Sequence, residues 1–82
     1  MAENELLDNI HLLHTTPMGI DRIRRNLGIN EDAVAYCREK ILSPEALVSR
    51  KGKNWYIDTG NCVITVNASS YTVITAHKKS PL

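Results

Sequence analysis

The spacing of apolar residues changes character near Ser43. Before it, apolar positions recur three and four residues apart, as on one face of a helix. After it, they alternate with polar residues or form short β-favouring runs. The pattern predicts one domain over residues 1–82, with a helical half at 1–45 and a sheet at 46–79.

Leu6, Ile10 and Leu13 mark a first helix from Glu3 to Leu13, with Leu7 widening its stripe. Acids open it, and His11 and His14 sit near its C-terminal end, where positive charge suits the helix dipole. Thr16 and Pro17 read as N-cap and first position of a second helix, Pro17 to Leu27. Ile20, Ile23 and Leu27 form its buried stripe, Arg22, Arg24 and Arg25 face water, and Gly28 stops it. Gly19 weakens its first turn. Asn30 is the expected cap of a third helix, with Ile29 and Val34 as a hydrophobic staple. Val34, Cys37 and Ile41 form the third stripe, and Ser43-Pro44-Glu45 ends this helix or starts one short further turn.

Leu47-Val48 opens the first strand, and Lys51-Gly52-Lys53 is a turn. Trp55 to Ile57 is the second strand, followed by a hairpin turn at Asp58 to Asn61. Cys62 to Val66 is the third, Asn67 to Ser70 a turn, and Tyr71 to His77 the fourth. Such short loops imply an antiparallel meander. Alternation places Cys62, Ile64 and Val66 on one face, with Ile74 and Ala76. Val63, Thr65, Asn67, Tyr71, Val73, Thr75 and His77 fall on the other. The expected fold is α+β: three N-terminal helices packed on one face of a C-terminal four-stranded antiparallel meander sheet.

Composition is that of a globular chain, 43% hydrophobic and 23% charged. No apolar run is long enough to span a bilayer, and MAENELLDNI is acidic where a secretory signal is basic. The expectation is a cytoplasmic protein with no membrane partner. Cys37 and Cys62 lie in apolar settings and read as buried thiols in a reducing compartment. No CxxC is present, and His11 and His14 stand without a third ligand, so no metal site is expected. No cofactor signature appears.

Net charge is only +1, but it is unevenly spread. Up to Asp21 there are four acids and neither lysine nor arginine; from Arg22 onward there are ten basic residues and five acids. That half suits a polyanion. Ribonuclease chemistry needs a base, an acid and cations for the phosphorane. His77, Thr75 and Asn67 are the candidate catalytic groups, with His77 as the group that titrates near neutral pH. Arg50, Lys51, Lys53 and Lys78 are the candidate phosphate contacts, and Tyr56 and Tyr71 the candidate base-stacking rings. An exposed strand-end histidine and a solvated lysine turn are the ordinary accounts of the same residues.

Taken together, HTTPMGIDRIRRNL, RKGKNWYI and VITVNASSYTVITAHK resemble a family of small bacterial domains of unknown function, across nearly the whole chain. That resemblance implies no activity. In architecture, the predicted chain is similar to the barnase–colicin–RelE group of small ribonucleases and toxins. This implies basic and hydroxyl side chains on an exposed sheet face. Arg22 to Ile41 also resembles a helix-turn-helix, with the hairpin at Lys51-Gly52-Lys53 as its wing. Its reading helix would present Asn30, Glu31 and Asp32, and two carboxylates are poorly placed against phosphates. The leading expectation is an RNA-binding protein, with toxin-like ribonuclease activity as its sharper form. The alternatives are a non-catalytic module with a protein partner, docked on the sheet face or edge, and a winged-helix-like DNA-binding protein. Whether the chain is an enzyme stays open at this level.

Overall fold

Asn9 breaks the first helix. Its backbone N–H and its side-chain Nδ2 both donate to the Glu5 carbonyl, the latter at 2.9 Å. The chain then tightens into a 3-10 turn, closed by Leu12 N–H to Asn9 and Leu13 N–H to Ile10. The single helix expected from Glu3 to Leu13 is therefore α1 (Ala2–Asp8) followed by a turn at Ile10–Leu12. Leu6 and Leu13 stay buried on either side of the break, whereas Leu7 is exposed. The computed structural model describes residues 2–79, with side chains from Glu5 onward. The acid Glu3 lies outside the described side chains.

The other two helices are α2 (Pro17–Leu27) and α3 (Ala33–Ile41). Thr16 Oγ1 accepts the Gly19 N–H at 3.0 Å, Pro17 fills the first helical position, and Gly28 closes α2 at φ 68°. These are the expected boundaries. The third is different: Asp32, not Asn30, caps α3, through Ala35 N–H to Asp32 Oδ1 at 2.9 Å. A carboxylate in this position also suits the helix dipole. Gly19 does more than weaken a turn. A Cβ there would run into Thr15 Oγ1, so only glycine lets the Thr15–Thr16 segment lie against the helix.

Four strands follow: β1 (Leu47–Lys51), β2 (Asn54–Asp58), β3 (Cys62–Asn67) and β4 (Val73–Lys78). They pair antiparallel in chain order. The fold is thus α+β, with N-terminal helices and a C-terminal four-stranded antiparallel sheet. Lys51 pairs with Asn54, so the first hairpin loop is Gly52 and Lys53 alone. Gly52 sits at φ 61°, the left-handed conformation such a two-residue loop needs at its first position.

The register slips once. Val66 pairs with Val73, but Thr65 pairs with Thr75, so Ile74 is an extra residue on β4. This bulge breaks the alternation that grouped Ile74 with Ala76. Val73 and Ala76 are the buried pair, at 1% and 0% exposure, and Ile74 is 40% exposed. Tyr71 also falls outside β4, in the loop before it. On β2 the inward pair is Trp55 and Ile57, both fully buried. They join Cys62, Ile64, Val66, Val73 and Ala76 in one core with Leu6, Leu13, Ile23, Leu27, Ala33, Cys37 and Ile41 of the helical half.

The bulge makes the fourth strand testable. Val73→Ala should lower unfolding free energy by about 2 kcal/mol, since it leaves a void in the core. Ile74→Thr should change it by no more than about 0.5 kcal/mol. Urea denaturation of both variants measures the difference, and the reverse ranking would contradict the bulged register.

Candidate functional site

Directly paired residues on antiparallel strands share a face. Away from the buried set, three rows cross the sheet: Lys51–Asn54–Asn67, Ser49–Tyr56–Thr65–Thr75, and Leu47–Asp58–Val63–His77. Thr65, at the centre, is 8% exposed beside its neighbours Tyr56 and Thr75. The outer positions Ser49, Lys51 and His77 are exposed. Tyr56 leans toward the first row, because its hydroxyl accepts from Asn54 Nδ2 at 3.4 Å. Asn54 Oδ1 in turn accepts from Asn67 Nδ2 at 3.4 Å.

Three chain segments meet at this end of the sheet. Ala68 N–H donates to the Lys53 carbonyl at 2.8 Å and ties the β3–β4 loop to the first hairpin. His14 N–H donates to the Tyr71 carbonyl at 3.1 Å, and Val73 N–H to the His14 carbonyl at 2.8 Å. Thr15 Oγ1 adds a bond to the Val73 carbonyl at 2.9 Å. Residues 9–16, 49–55 and 67–73, which form this end, contain no acid. Arg50, Lys51 and Lys53 are exposed here, and among the described residues none of them makes a salt bridge. The Arg50 guanidinium lies 5.4 Å from the Trp55 ring centroid, and its Nε donates to the Gly52 carbonyl at 3.1 Å. Its position is therefore fixed while its charge faces solvent.

The opposite end has a different character. The Lys79 ammonium pairs with Asp58 at 3.0 Å. The Gly60 N–H, first, and Lys79 hold the Asp58 carboxyl below the usual carboxylate range. His77 is exposed in the same row, with Nδ1 3.4 Å from the Lys78 carbonyl. Lys78 alternates to the other side of β4, near Gly28 at the end of α2. A cleft of about 480 Å³ runs between the end of α3 and the β2–β3 turn, lined by Glu39, Lys40, Ser43, Pro44, Glu45, Thr59, Gly60 and Asn61. One end of the sheet thus carries cations without acids, whereas cations and carboxylates are mixed at the other.

The expected catalytic residues do not meet. Thr75 sits mid-sheet, His77 toward the Asp58 end, and Asn67 in the basic row. His77 pairs with Val63, four residues from Asn67 on β3, so about 13 Å of strand separates them. Asn67 is engaged in its own turn: Oδ1 accepts from Ser69 N–H, Ser70 N–H and the Ser70 hydroxyl. Of the expected binding residues, Arg50, Lys51 and Lys53 share the first hairpin; Lys51 lies on the face that carries Tyr56, whereas Arg50, paired with Trp55, lies on the other. Lys78 lies apart from them. Tyr71 is half-buried at φ 59°, its ring 5.3 Å from that of Trp55. Three members of the basic end were absent from the expected site: His14, Ser70 and Thr72. His14 and Thr72 are 58 positions apart, and no local spacing connects them.

The thiols offer no nucleophile. Cys37 and Cys62 are both buried and free, and burial, then the neighbouring Cys62, pushes the Cys37 thiol up to about 12. Among the described residues, no group of three or more histidine, cysteine or acidic side chains is arranged to hold a metal ion. No helix among them is long and apolar enough to cross a membrane.

A family model described as "Protein of unknown function (DUF3781)" matches residues 7–77. The chain belongs to this family. No curated protein and no solved structure matches it. The stretch shared with DUF3781 takes in every segment of the basic end, from His14 through Lys53 to Thr72, and stops before Lys78 and Lys79.

Asn67 provides the structural check on this end. Asn67→Ala removes the acceptor of two exposed backbone N–H groups and should cost about 0.5–1.5 kcal/mol in urea denaturation. Asn67→Asp keeps an acceptor and should cost less. Equal losses would show that the turn does not depend on the Oδ1 bonds.

Proposed function

We propose that this chain is a single-stranded RNA-binding protein that holds RNA without cleaving it. The observation that carries the reading is the acid-free end of the sheet, where Arg50, Lys51 and Lys53 lie on one hairpin without a salt bridge among the described residues and the Tyr56 hydroxyl is held by Asn54 of the adjoining row. Unpaired cations along one edge attract a phosphate backbone, and a half-exposed ring on the face of Lys51 suits base stacking. In this reading the three helices cover one face of the sheet, as in the barnase–colicin–RelE group. The face carrying Tyr56, Thr65 and Thr75 is left for the ligand. The separation of His77 from Asn67 favours binding over phosphodiester cleavage, because general catalysis needs its groups within hydrogen-bond reach of one proton.

A second reading has its own observation. Among the described residues, no backbone hydrogen bond reaches the outer side of β1, whose residues are mostly exposed. An extended protein segment could add there as a fifth strand. Arg50 and Lys51 on β1 equally serve as charges that discourage such pairing, so the RNA reading is preferred.

The test is a salt titration of binding to a labelled oligouridine of about eight nucleotides, within the usual site size for such folds. The logarithm of affinity should fall with the logarithm of salt with a slope near −2, from about three phosphate contacts at ~0.7 each. Lys51→Glu with Lys53→Glu should flatten the slope by about 1.4 or more. No binding at low salt would remove the RNA reading and leave the β1 edge. Cleavage of the oligonucleotide that His77→Ala abolishes would replace binding by catalysis.

A further inference from the structure

The two edges of the sheet differ. At the β4 edge the N–H of Val73 donates to the His14 carbonyl, and its carbonyl accepts from the Thr15 hydroxyl. At the β1 edge nothing corresponds among the described residues. The bonding pattern shows which groups are left there. Ala68 N–H donates to the Lys53 carbonyl and Thr59 N–H to the Cys62 carbonyl, so the odd-numbered residues of β2 bond toward β3. Asn54, Tyr56 and Asp58 therefore bond toward β1, to Lys51, Ser49 and Leu47. Val48 and Arg50 lie between these and turn their backbone N–H and carbonyl groups outward.

A second copy of β1, run antiparallel about a twofold axis at Ser49, meets these groups in full. Val48 then pairs with Arg50 of the second copy, and the two exchange N–H and carbonyl. Ser49 faces its own counterpart, as the non-hydrogen-bonded pair in the middle. Moving the axis spoils the fit. At Arg50 it would set two guanidinium residues directly opposite each other. At Val48 it would call on Ala46, whose N–H already donates to the Ser43 carbonyl at 3.0 Å.

The side chains suit the same register. Lys51 falls opposite Leu47 of the second copy. Leu47 is 71% exposed, and a lysine stem covers such surface while its ammonium stays in water. Leu47 pairs in turn with Asp58 on the same face, and the exposed Glu45 lies just before it in the chain. The hairpin with Lys51 and Lys53 thus runs beside carboxylates of the second copy. The acid-free end of each sheet abuts the end of the other that holds acids. Edge cations repel a strand that sets like charge against them, and in this register none is so placed.

We infer that β1 is a self-association edge, on which a second copy of this chain adds antiparallel about Ser49 to form one continuous sheet. The contact is isologous and closes at two copies, because the strap bars the β4 edge from the same use at Val73. One pair of five-residue strands buries less than the roughly 1,200 Å² of standard interfaces, so the dimer forms and parts readily. The inference does not rest on the RNA reading, and its tests contain no RNA.

Ser49→Cys tests the register in the full chain. Ser49 is exposed, whereas the native Cys37 and Cys62 are buried. Opposed Cβ atoms in such a pair lie about 4.5–5.5 Å apart, a small adjustment from disulfide geometry. Oxidation by diamide should link Ser49→Cys into a dimer about tenfold faster than Leu47→Cys, whose counterparts stand about 13 Å apart along the strands. Sedimentation equilibrium tests the charges. Leu47→Lys sets a cation against Lys51 twice per dimer and should weaken association about fivefold, and Leu47→Glu should strengthen it about as much. Position 47 is exposed, so both variants should keep the wild-type circular dichroism spectrum. Equal cross-linking at positions 47 and 49, or equal association of the wild type and the two charge variants, would overturn the inference. So would a wild-type chain that stays monomeric up to ~1 mM.

Discussion

The strap that His14 and Thr15 lay along β4 is the constraint on which the rest depends. A strand at the end of a sheet presents unpaired backbone groups, and Val73 would be such a site. Its N–H and carbonyl instead go to the His14 carbonyl and the Thr15 hydroxyl. The strap joins the helical half to the far edge of the sheet and fixes where α2 begins, since Thr16 caps that helix one residue later. It also explains the glycine in the first turn. The Thr15 hydroxyl that bonds Val73 occupies the space a side chain at position 19 would need.

The same strap composes the basic end. The first hairpin alone carries Arg50, Lys51 and Lys53, an ordinary solvated turn. The strap sets His14 against Thr72, and the Ala68–Lys53 bond sets that loop against the hairpin. Cations and hydroxyls from three distant segments then share one end of the sheet, away from the Asp58–Lys79 pair and the cleft with Glu39 and Glu45. An end of one sign without acids concentrates anions whether or not chemistry follows.

What could be read from the sequence was what local chemistry decides. Thr16, Pro17 and Gly28 bound α2 by bonds within a few residues, and they act as their types imply. Trp55 with Ile57, and Cys62 with Ile64 and Val66, obey simple alternation. The errors came where two local signals compete or where a distant partner decides. Asn30 and Asp32 are both good caps, and the chain uses the later one. Asn9 ends α1 with a side-chain bond that the Leu6–Ile10–Leu13 spacing does not register. The bulge at Ile74 reverses the faces of Val73 and Ile74, and alternation alone has no means of detecting an extra residue. His14 was read as a helix-end histidine because its partner lies in the last loop of the sheet. The site was legible where cations lie close in sequence, and illegible where it depends on the strap.

The account stands or falls on where the ligand touches the protein. Backbone amide shifts followed during titration with oligouridine would map that contact directly. The expected result is a cluster of perturbed amides at His14, Lys51 to Tyr56 and Asn67 to Thr72, with the Asp58 to Cys62 turn and the cleft beside it unchanged. Perturbations centred on the cleft, or spread evenly over the surface, would contradict the assignment of the basic end as the binding site.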